Sequence, residues 1–127
     1  MICLDTSALM AIVLREPAAA KCVAAITREP EIAISAGTIA EVMIVAGQRG
    51  LAVEMRAILQ GLPLTVLNVT EDSARRSALA YGSWGKGNHP ARLNYGDCFA
   101  YELASRMNCP LLYVGDDFAK TDIQSAL

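Results

Sequence analysis

The run Ile2-Cys3-Leu4 stops abruptly on Asp5-Thr6-Ser7, and no other stretch constrains the fold as much. An apolar run without alternation suits a strand covered on both faces, the situation of central strands in parallel sheets wrapped by helices. Ser7 is then expected to cap a helix through Ala8 to Val13, which leaves Asp5 at the carboxyl end of the strand. Ligands of open parallel sheets gather outside those ends. Asp5 is therefore a candidate for chemistry, with helix capping as its structural alternative.

The remainder of the chain repeats the pattern. Ala19, Cys22, Val23 and Ile26 recur at helical spacing after Pro17, and Ile32-Ala33-Ile34 forms a second short strand. Ser35 or Thr38 opens a helix with Ile39, Val42, Met43 and Ala46 on one face, ended by Gly47 and Gly50. A further stripe from Leu51 to Leu62 precedes the strand Leu64 to Leu67, and Thr70 caps a helix running to about Tyr81. Gly82 to Pro90 reads as a long glycine-rich loop. Helix resumes from Tyr95 to Met107, and Leu111 to Val114 is the last strand, running into Gly115-Asp116-Asp117. Strands alternating with helices predict an α/β fold of three α/β/α layers with a central parallel sheet. The 127 residues fit one domain, 1-127, that buries roughly two-thirds of its unfolded surface.

Composition narrows the function classes. With 54% hydrophobic residues and a mean hydropathy of +0.33, the chain is expected to fold and to keep some apolar surface for a partner. Cys3, Cys22, Cys98 and Cys109 form no Cys-x-x-Cys pair and sit in apolar patterns, as reduced core cysteines of a cytoplasmic protein do. The first fourteen residues lack a basic leader and are interrupted by Asp5, so neither a signal peptide nor a membrane span is expected. A net charge of -2 excludes a general polyanion coat, and any nucleic-acid contact must be local.

Four acids fall at strand ends or helix starts, which share one edge in this architecture: Asp5, Glu41, Asp97 and Asp116. Each has a structural alternative. Glu41 fits a capping box with Thr38, Asp97 suits the dipole of its helix, and of Asp116 and Asp117 one can ligate while the other caps. A cluster of carboxylates repels itself by roughly 3 kcal/mol per pair at about 5 Å, so convergence asks for a cation. Carboxylates without Cys or His pairs favour Mg²⁺ or Mn²⁺ over zinc, and such ions support in-line displacement at phosphorus. Without these four acids the chain would carry +2 in place of -2. Lys86, His89 and Arg92, near Asp97 in sequence, are candidate contacts to a nucleic-acid backbone, or simply a solvated loop. A phosphatase would need an acid where Ser7 stands, and no Gly-Lys-Ser/Thr nucleotide loop is present. A binding module that no longer cleaves, and a nuclease acting on DNA, remain alternatives.

Together, Asp5-Thr6-Ser7-Ala8, Ile34-Ser35-Ala36-Gly37-Thr38 leading to Glu41, Leu93-Asn94-Tyr95-Gly96-Asp97-Cys98 and Gly115-Asp116-Asp117-Phe118 resemble the motifs of the PIN-domain ribonucleases, and within them the VapC toxins of bacterial toxin-antitoxin pairs. The resemblance spans the chain. It implies a divalent-metal-dependent endoribonuclease toxin in which Asp5, Glu41, Asp97 and Asp116 hold Mg²⁺ or Mn²⁺, Asp117 being the alternative fourth acid. Thr6 or Ser7 would assist through a water. It further implies a homodimer, an RNA substrate, a cognate VapB-type antitoxin and no membrane.

Overall fold

The computed structural model describes every residue from Met1 to Leu127. Its centre is a parallel sheet in the order β3-β2-β1-β4, built from β1 (Ile2–Leu4), β2 (Ile32–Ser35), β3 (Leu64–Leu67) and β4 (Leu111–Leu112). Ile2 pairs with Ile32 and Cys3 with both Ala33 and Leu111, so β1 and β2 are flanked on both sides and fully buried. β3 lies at the edge, where Thr65 and Val66 are exposed.

Alternation along the strands feeds two cores. Ile2, Leu4, Ile32 and Ile34 face α1 (Thr6–Val13), α2 (Ala19–Arg28), α3 (Ala36–Gln48) and α4 (Ala52–Gly61), packing with Leu9, Ile26, Val42 and Met55. Cys3, Ala33 and Leu111 face the other way, onto Ala80 of α5 (Glu71–Trp84) and onto Cys98, Leu103 and Ala104 of α6 (Tyr95–Met107). The result is the expected three-layer α/β/α sandwich with a central parallel sheet. Glu102 of α6 accepts hydrogen bonds on Oε1 from Arg76 of α5 at 2.7 Å and from Arg106 at 2.8 Å, tying the two helices of the second layer. No helix is long and apolar enough to cross a membrane.

Several local expectations change. Val23 is 47% exposed and drops out of the inward stripe of α2. Ser35, and not Thr38, caps α3, accepting from Gly37 N at 3.1 Å; Thr38 is a buried residue one turn inside. The capping box proposed for Glu41 therefore does not exist. α5 continues through Gly82 and Ser83 to Trp84, because the Trp84 indole packs on His89 and donates to the Tyr101 hydroxyl at 3.0 Å. The loop after it is correspondingly shorter and closed by its own backbone bonds, Lys86 N to Leu93 O and Leu93 N to Trp84 O. The last strand stops after Leu112, two residues sooner than the apolar run.

Candidate active site

Because all four strands run parallel, Asp5, the start of α3 and the segment after β4 emerge on one edge of the sheet. Asp5 itself caps α1: Ser7 N donates to its Oδ2 at 2.9 Å, and Ser7 Oγ donates to the same oxygen at 2.6 Å. Ser7 lies in the first turn and is not the cap. Its hydroxyl also accepts from Val114 N at 3.0 Å, which locks the exit of β1 to the exit of β4. Only one oxygen of Asp5 is thereby used. Oδ1 is buried with no partner, as are the hydroxyls of Thr6 and Thr38. Buried polar atoms without partners mark sites of bound water or ions. Burial, reinforced by the charge of Glu41 and opposed by the Ser7 bonds, pushes the Asp5 carboxyl up to about 6.

Asp97 repeats the arrangement on α6. Asn94 caps the helix by accepting from Asp97 N at 2.8 Å, and Asp97 Oδ2 accepts from Asn94 N at 2.8 Å, a reciprocal capping box. The carboxyl is nonetheless raised to about 7, first by burial and then by the charges of Asp5, Glu41 and Asp117. The capping carboxyl thus lies within electrostatic reach of three other acids.

Glu41 reaches this point from α3. Its carboxylate lies on the Cα of Gly96, where any Cβ would overlap it, and the Phe99 ring lies likewise on Gly37. Two in-helix glycines thus let α3 and α6 approach closely enough to set Glu41 beside Asp97. After β4, Gly115 turns the chain through φ +109, and Asp116 and Asp117 follow, both exposed.

A PIN-domain family model matches residues 2–124. Ribonuclease VapC of Mycolicibacterium smegmatis is 39% identical over 124 residues, which cover 94% of this chain and 95% of that one. The chain belongs to the VapC group of the PIN-domain family. Its fold is similar to that of Mycobacterium tuberculosis VapC20, described as a sarcin-ricin loop cleaving toxin, with a TM-score of 0.78, 17% identity and coverage of 97% and 96%. It is also similar to a chain of a toxin-antitoxin complex from Klebsiella pneumoniae, with a TM-score of 0.71, 22% identity and coverage of 96% and 93%.

In this PIN domain the donor set suits a hard divalent cation. The donors are all carboxylate oxygens, and the unpaired Asp5 Oδ1 lacks the counter-charge that its burial demands. No three of the acids lie close enough to hold an ion jointly.

The three residues expected to touch a nucleic acid separate. Lys86 is exposed beside Tyr81 and Tyr95 on an open groove. His89 braces its own loop, its Nδ1 accepting from Ala91 N at 3.0 Å and its ring centroid 4.7 Å from that of Trp84. Arg92 is exposed at φ +55. Gly37, Asn94 and Gly96 lie within the sequence motifs, and their roles emerge from the structure. A glycine inside a helix costs about 1 kcal/mol against alanine, so Gly37 and Gly96 could have been read as points of close approach.

Proposed function

We propose that this VapC-type PIN domain is an endoribonuclease toxin that hydrolyses RNA phosphodiester bonds with Mg²⁺ or Mn²⁺ held among Asp5, Glu41, Asp97 and Asp117, bonded directly by one or two of these carboxylates and through waters to the others. The observation that carries the reading is the raised Asp97 carboxyl, on which the charges of Asp5, Glu41 and Asp117 converge. Asp116 was the first expectation for the fourth acid; that convergence favours its neighbour.

When bound, the ion would neutralise the scissile phosphate and acidify an attacking water. The protein's part is placement. Ser7 fixes Asp5 Oδ2, which would leave Oδ1 for the ion, and Asn94 does the same for Asp97 by holding its Oδ2. Gly96 makes room for the Glu41 carboxylate. Thr6, whose buried hydroxyl has no protein partner, would hold a water beside Asp5. Thr38 carries a similarly unpaired hydroxyl one turn before Glu41.

The toxin part of the proposal rests on the VapC relatives and on the toxin-antitoxin complex of similar fold, and its partner is a VapB-type antitoxin; a second copy of this chain is the partner that the family resemblance implies. Expression without an antitoxin should arrest growth, and the Asp5→Ala variant, made at equal level, should not. Normal growth in the presence of abundant folded and active protein would overturn the toxin role while leaving the nuclease role standing.

A further inference from the structure

A groove of about 540 Å³ opens between α5 and the start of α6, outside the acid cluster but sharing a wall with it. Ala74 and Ala78 line it, together with three rings, Tyr81, Tyr95 and Phe99. The polar side chains in its walls turn away: Ser77 Oγ donates to Ser73 O at 2.9 Å, and Cys98 Sγ to Asn94 O at 3.3 Å. The Tyr81 hydroxyl donates to Lys86 O at 3.2 Å, which fixes that ring. Tyr95 stands edge-on to Phe99 with centroids 5.0 Å apart and is 78% exposed, leaving one aromatic face free.

The rim is different in kind. Lys86 carries a charge outside every ion pair of the fold, and Asn94, with its carboxamide oxygen engaged by Asp97 N, keeps its amide N–H groups free. Asn94 therefore belongs to both places, lining the groove and bonding Asp97. Phe99 belongs to both as well, since its ring rests on Gly37 at the start of the helix that carries Glu41.

We propose that this groove is a subsite for one unpaired nucleobase of the RNA, next to the phosphate at the acid cluster. The inference rests on the ribonuclease reading above. Free aromatic faces in an apolar cleft bind bases by stacking, and a base at a junction with a phosphate chain needs a cation close by. Lys86 supplies that cation in the wall of the groove, and Asn94 joins the groove to Asp97 of the acid cluster. A flat base-sized occupant with anionic flanks matches both the ring-lined interior and the charged rim. It also assigns a role to Tyr95, whose exposure has no structural benefit.

The test uses a labelled, short random-sequence RNA pool with Mn²⁺, comparing the unmutated protein with Tyr95→Ala and Tyr95→Phe. Binding is read by fluorescence anisotropy, and cleavage by sequencing the new ends. Tyr95→Ala should weaken binding and raise KM by about tenfold, and erase a base preference at a single position beside the cut. Tyr95→Phe should keep all three. Mn²⁺ affinity, measured by calorimetry, should be the same in all proteins. Unchanged binding by Tyr95→Ala overturns the subsite whatever the cleavage shows, and so does a variant whose defect is a fall in molar mass, which would make the groove a contact between copies. Weakened binding with no cleavage by any protein would keep the subsite and sink the nuclease reading.

Discussion

Asp97 divides its two oxygens between two tasks: Oδ2 closes the capping box with Asn94, and the carboxyl as a whole carries the conflict with Asp5, Glu41 and Asp117. The cap uses Oδ2 alone, so it does not compete with the proposed ligand role. The conflict has a sign that can be measured. The folded carboxyls are raised to about 7 for Asp97 and about 6 for Asp5, above their ordinary value, so the native state holds protons that the unfolded chain has released. The metal-free protein should be most stable at low pH in this respect and lose stability as pH rises from about 4 through 7. Melting curves in EDTA should fall between pH 5 and 7.5, and Mn²⁺ should remove most of the fall by replacing the proton. Asp97→Asn, which keeps a capping oxygen, should melt several degrees higher than the unmutated protein at pH 7.5 in EDTA and gain less from Mn²⁺. Equal responses of the two proteins would return Asp97 to a simple cap. For the adjacent pair, Asp117→Asn should lower activity more than Asp116→Asn, and the reverse order would transfer the role to Asp116. Asp5, Asp97 and Asp116 stand out in the sequence because they follow an apolar run or open a helix, and Glu41 because it lies about two turns into the helix after β2. Adjacent acids such as Asp116 and Asp117 offer no such distinction, because the turn that begins at Gly115 carries both.

The crossing of α3 and α6 is the feature that periodicity could not supply. Helical spacing marks which face of each helix is apolar, but the closeness of two helices follows from what is absent, here the side chains of Gly37 and Gly96. Gly96→Ala should displace the Glu41 carboxylate and weaken Mn²⁺ binding while the protein still folds, since α6 gains helix propensity from the change. An unaltered Mn²⁺ affinity would detach Glu41 from the site. Gly37→Ala should cost about 1 to 3 kcal/mol as the Phe99 ring is forced aside. Gly82 provides the contrast, because a Cβ there meets nothing within 4 Å in the helix α5. Gly82→Ala should therefore raise stability by about 0.4 to 1 kcal/mol, and chemical denaturation of the two variants should show opposite shifts. The end of α5 was misread for a related reason: Gly82-Ser83-Trp84 has the composition of a loop, and only the docking of Trp84 on Tyr101 and His89 keeps it helical.

At the scale of the whole molecule, the layers and strand direction followed from the alternation of short buried runs with amphipathic stretches. The order β3-β2-β1-β4 places the oldest landmark of the sequence, the Ile2–Leu4 strand, between two neighbours, so its carboxyl end opens at the middle of one edge. Every acid of the proposed site reaches that edge from a different element: Asp5 from β1, Glu41 from α3, Asp97 from α6 and Asp117 from the turn beyond β4. Activity then belongs to the assembled fold and to no single motif. The most direct test is cleavage of RNA by the purified, antitoxin-free protein, with Mn²⁺ and with excess EDTA, beside a folded Asp5→Asn variant. The account predicts new RNA ends with Mn²⁺, none in EDTA, and none from Asp5→Asn under either condition. Cleavage that persists in EDTA, or equal cleavage by the folded Asp5→Asn protein, would contradict it.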